Sequence, residues 1–118
     1  MLTLLFVSIV LFFAVINSRA AQAATFKEAY QRYNESISAE NYIDAVTHAK
    51  QAFELGVDIY GANSESAINL EYNLGLAYSS NKQTELAFET LASVAVKFSQ
   101  LSGENSVNRF NALFDQII

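Results

Sequence analysis

A repeat distance constrains this chain more than any other feature. Gly61-Ala-Asn-Ser64 recurs as Gly103-Glu-Asn-Ser106, 42 positions later. The same offset aligns Phe26 with Ile68 and Phe110, Tyr30 with Tyr72 and Phe114, Ala45 with Ala87, and Ala52 with Val94. A fixed period of about 20 to 50 residues marks supersecondary units that stack side by side and share a buried core. Such arrays present extended surfaces, so the period points to a binding scaffold.

The composition narrows the class of fold. The chain has 118 residues, enough for one small domain. It has no proline and only four glycines, which suits helices better than a sheet rich in turns. With no cysteine, a disulfide framework, a thiolate metal site and a cysteine nucleophile are all excluded. The net charge of −5 disfavours unaided binding to phosphate backbones, so no nucleic-acid partner is expected. Without Arg19, six basic residues face twelve acidic ones, and the charge becomes −6.

Leu2 to Ile16 is apolar apart from Thr3 and Ser8, and Asn17-Ser-Arg19 interrupts the run. Ala21-Gln-Ala23 then offers a small-x-small cleavage pattern. Together these predict a signal peptide over residues 1–23, cut after Ala23. The run is shorter than the roughly 20 residues that span a bilayer. No Lys or Arg precedes it, so an uncleaved leader acting as a membrane tether is the alternative. Export to the periplasm or outside the cell, most naturally in a bacterial envelope, also fits a chain without thiols.

The remaining chain, 24–118, reads as helical throughout. Thr25-Phe-Lys-Glu28 has capping-box spacing and predicts a first helix over 25–38, with Phe26, Ala29, Tyr30, Tyr33 and Ile37 on its apolar stripe. A second helix, 41–59, gathers Tyr42, Ala45, Val46, Ala49, Ala52, Phe53 and Gly56 on one face. Gly61 ends it, and Asn63 or Ser64 caps the next. The third helix, 65–79, is apolar over a wide arc and is expected in the middle of the fold. The fourth, 83–101, turns Leu86, Ala87, Leu91, Val94, Ala95, Phe98 and Leu101 inward, and a fifth, 106–117, carries Val107, Phe110, Leu113, Phe114 and Ile117.

Leu74-Gly75-x-x-Tyr78 followed by Ala87, with Leu91 and Val94 beyond, resembles the tetratricopeptide repeat. Asn41-Tyr42-Ile43-Asp44-Ala45-Val46 is similar to that family's turn into its second helix. The resemblance covers Phe26 to Ile118 as repeats over 26–63 and 64–105, with the first helix of a third over 106–118. The 42-residue period resembles the variant with extended helices rather than the common 34-residue form. Tyr33 stands where a small residue is expected, Glu71 where a large apolar one is, and the usual proline is missing. The resemblance implies an all-α fold, an α-solenoid of antiparallel helix hairpins. It also extends loosely to exported repeat domains at the front of TonB-type energy transducers.

What the family resemblance implies for function is a groove lined by the first helix of each hairpin. Its candidate residues here are Lys27, Tyr30 and Asn34, then Asn69, Tyr72 and Leu76, then Asn111 beside Phe114. The expected role is an adaptor that grips a peptide or protein partner outside the cytoplasm. Asparagine amides both donate to and accept from a peptide backbone, and tyrosine adds contact area with a polar tip. The plainer reading of Tyr30, Tyr72 and Phe114 is core between repeats, and of the asparagines, a solvated face.

No constellation for catalysis stands out, and no enzyme activity, cofactor or metal site is expected. His48 is the single histidine and reads as a surface or half-buried residue of the second helix. Glu35, Glu40 and Asp44, and likewise Glu85 and Glu89, read as solvated carboxylates. The apolar end of the chain suggests either the front of a longer exported protein or a face for self-association.

Overall fold

The computed structural model describes residues 2–103, with side chains for 19–101 and 103. The expected fifth helix, Asn111 and Phe114 lie outside the described residues. Those residues form four α-helices and no strand: α1 (Leu2–Ser38), α2 (Tyr42–Tyr60), α3 (Glu65–Ser80) and α4 (Thr84–Ser102). Each helix packs on the next along the chain, α1 on α2, α2 on α3 and α3 on α4.

The start of α1 corrects one expectation. The helix does not begin at Thr25 but runs unbroken for 37 residues from Leu2. The Thr25 hydroxyl donates to the carbonyl of Ala21 at 2.8 Å, one turn back, and Glu28 accepts from Arg32 at 2.6 Å. Neither residue caps anything. The physical reason is that Ala20 to Ala24 are strong helix formers with no glycine or proline among them.

The other boundaries follow local chemistry. The Asn41 side chain accepts from the Asp44 amide at 3.3 Å and caps α2. The Ser64 hydroxyl accepts from the Ala67 amide at 3.1 Å and caps α3. Gly61, at φ 91°, closes α2, and Gly103, at φ 65°, closes α4. The hairpin turns repeat as well. Glu40 and Lys82, 42 residues apart, both hold positive φ, at 56° and 60°. Asn41 and Gln83 donate back to Ser36 and Tyr78, and Glu40 and Lys82 donate to Ile37 and Ser79. Both α1 and α3 therefore end in the same Schellman arrangement, without a glycine. The period seen in the sequence is present in the backbone.

The core is built from small residues on α2 and larger ones on α3 and α4. Ala45, Ala49, Ala52 and Gly56 are buried along one face of α2. Tyr33 of α1 fills the space over Ala45, Ala49, Leu74 and Ala77, while Ala29 meets Ala52 and Leu70. Its bulk where a small residue was expected is thus absorbed by alanines on the facing helices. On α3, Ala67, Ile68, Leu70, Leu74, Gly75 and Ala77 are all buried, so this helix lies in the middle, as its wide apolar arc predicts. Gly75 lets α4 approach: a Cβ there would sit 2.7 Å from Leu91 Cδ2. Ala87, Leu91, Val94 and Phe98 form the buried face of α4. Leu86 and Leu101, expected inward, are instead 42% and 47% exposed.

Candidate functional site

The residues proposed to line a groove divide into two groups. Lys27, Tyr30 and Asn34 follow one another at helical spacing on α1 and are all exposed. With Gln31, Glu35, Ser38 and Ala39 they line one open groove along that helix. Lys27 and Glu35 are its two charged residues, and Gln31 donates to Glu35 at 3.0 Å. Asn69 belongs to a second cleft, of about 280 Å³, lined by Phe26, Tyr30, Tyr60, Ser66, Leu70 and Asn73. Tyr30 is common to both.

The second cleft has two unlike walls. One is aromatic: Phe26 stacks on Tyr30 with centroids 6.2 Å apart and meets Tyr60 edge-on at 5.8 Å. The other is polar and uncharged, built from Ser66, Asn69 and Asn73, which share one stripe of α3. Tyr30 is 40% exposed and Tyr60 49%, so both rings offer a face to solvent. The reading of Tyr30 as inter-repeat core is therefore wrong. The ring reaches past Ala29, which takes the core position beside it.

Tyr72 and Leu76 lie in neither of these two grooves and are half-buried. Tyr72 packs against Ile68, Val94 and Phe98, and burial raises its phenol pKa. Tyr33 is more deeply buried. Burial pushes its phenol above the usual value, with further contributions from the neighbouring Tyr30 and Tyr72. The structure thus brings Lys27, Tyr30, Asn34 and Asn69 around one aromatic ridge, and places Tyr72 and Leu76 apart from it.

Tyr60, Ser66 and Asn73 were missed from the sequence. The spacing of Ser66, Asn69 and Asn73 could have shown a polar stripe on α3. Tyr60 could not be found, because its ring reaches the cleft only through the docking of the α2 end on α1. No family model, no curated protein and no solved structure matches the chain. Among the described residues no group of three or more His, Asp or Glu side chains is placed to hold a metal ion. His48 is half-buried on α2, and its Nδ1 makes no hydrogen bond with the protein.

Proposed function

We propose that this chain is an exported, tetratricopeptide-like α-solenoid module that binds a peptide or protein partner and catalyses no reaction. The observation that carries the reading is the shared position of Tyr30. One exposed ring joins a charged groove along α1 to a cleft with an aromatic wall and an amide wall. An extended segment laid across that ridge would place side chains against the rings and backbone groups within reach of Asn34 and Asn69. The helix order and the 42-residue recurrence of both turns support a solenoid. The apolar run ahead of Ala21-Gln-Ala23 supports export.

Selection from a displayed peptide library on the immobilised chain tests the binding role. Tyr30→Ala and Asn69→Ala, each with an unchanged helical spectrum, are expected to weaken the selected peptides about tenfold or more, as loss of a buried aromatic anchor does. A library that yields no peptide sensitive to either substitution would remove the groove from consideration. The intact mass of the exported product tests the leader: a chain beginning at Ala24 is expected, and one retaining Met1 would leave a tether instead.

A further inference from the structure

Away from the groove, α4 carries an apolar flank that no described residue covers. Phe88 is 65% exposed and Val96 58%, Ala92 is exposed on the same side, and Ala95 is half-buried at its inner edge. One period earlier, Phe88 and Ala95 correspond to Val46 and Phe53 of α2. Those two are half-buried, packed against core clusters to which α3 contributes Leu70, Leu74 and Ala77. At the Val46 position the flank is therefore covered in the first hairpin, and at its equivalent Phe88 it is bare in the second. In the first hairpin the cover comes from the segment that follows Gly61 and is capped by Ser64. The second hairpin also ends on a glycine with positive φ, Gly103, and the next residues are Glu-Asn-Ser106. In that segment Phe110 and Phe114 stand one period after Ile68 and Tyr72, and Ala112 one period after Leu70. Charge agrees with the match. Glu85 and Glu89 edge the bare flank, and Arg109 is the one cation among residues 104–118.

We propose that the flank of α4 bearing Phe88 and Ala95 is the docking surface for this chain's own segment 104–118, which covers it as α3 covers Val46 and Phe53. This goes beyond the groove reading and does not depend on it. The chain has no cysteine, so introduced thiols report cleanly. Phe53 packs against the core cluster that holds Leu70, and one period on these two positions are Ala95 and Ala112. Mild oxidation of the full chain carrying Ala95→Cys and Ala112→Cys should give a disulfide within one chain, seen by mass and by mobility on a non-reducing gel. Cross-links formed only between chains would mean that a second copy covers the flank, and no cross-link would mean that nothing does. Either result overturns the proposal. A single substitution provides a second measurement that the folding of the pair does not affect. Phe88→Cys should react with a maleimide about tenfold more slowly than Thr47→Cys, an exposed mid-helix control on α2, at any protein concentration. Equal rates, or protection that fades on dilution, would equally overturn it.

Discussion

Lys97 Nζ lies 2.7 Å from Oε2 of Glu71, and the pair ties α4 to α3 at the edge of the core. Glu71 is 6% exposed, yet both its carboxylate oxygens are satisfied, since Ser93 donates to Oε1 at 2.7 Å. The ammonium also sits 5.7 Å from the Phe53 ring centroid, so the contact extends to α2. A carboxylate left alone at this site would be buried without a counter-charge. Lys97→Met is therefore expected to lower stability by about 3 kcal/mol in urea denaturation, whereas Glu71→Leu combined with Lys97→Met should return close to the starting value. A double variant as unstable as the single one would show that the pair does more than neutralise itself.

Gly75 and Leu91 set the spacing of the second hairpin. An added methyl would approach Leu91 Cδ2 to 2.7 Å and Cγ to 2.8 Å, too close for the branch point to yield cheaply. Gly75→Ala gains about 1 kcal/mol in helix propensity but loses about 1–3 kcal/mol to overpacking. The expected result is a net loss of stability. Thermal melts should show that Leu91→Ala is better tolerated in the Gly75→Ala background than alone.

The turns at Glu40 and Lys82 place side chains on backbone with φ of 56° and 60°. An L-residue in this region is disfavoured by about 1 kcal/mol or slightly more. Glu40→Gly and Lys82→Gly should each raise the unfolding free energy by about 1 kcal/mol, and Glu40→Ala and Lys82→Ala should not. Gln83, which begins α4 without a side-chain cap, offers a related gain. Gln83→Asn reproduces the arrangement at Asn41 and should add about 1 kcal/mol.

Alkaline pH should weaken the fold through Tyr33. Its phenol pKa is raised in the folded chain, chiefly by burial, and returns to about 10 on unfolding. Below pH 10 both states hold the proton and the group adds no pH dependence. As the pH rises past 10 the unfolded chain releases it first, so stability falls until the folded-state pKa is reached. Tyr33→Phe should flatten this limb of the urea midpoint against pH. Part of the slope should remain, because the Tyr72 phenol is raised in the same direction.

Helix ends were legible wherever one residue carries the signal. Ser64, Gly61 and Gly103 each act within a turn of their own position, and the structure uses all three, whereas Asn41, read as the first residue of the second helix, is its cap instead. The start of α1 was not, because Thr25 and Glu28 have cap spacing but the helix runs through them from Leu2. Periodicity gave the central place of α3 but not which flank of α4 meets it, so Leu86 and Leu101 were placed inward. Glu71 read as a departure because its partner Lys97 lies 26 residues on and meets it only when α3 and α4 pack. In the candidate site Lys27, Tyr30 and Asn34 of α1 came from the groove positions that the family resemblance implies, and their helical spacing places them on one side of α1. The polar stripe of Ser66, Asn69 and Asn73 has a local pattern, but the place of Tyr60 in the facing aromatic wall depends on how the end of α2 docks on α1, which no local pattern records.

The matching left-handed turns at Glu40 and Lys82 have an architectural consequence. Each hairpin reverses direction through the same backbone geometry, one built on a carboxylate and the other on an ammonium. The bend thus keeps one backbone geometry with unlike side chains on it. If the proposed solenoid holds, a further 42-residue unit inserted whole would join it without altering the bends on either side.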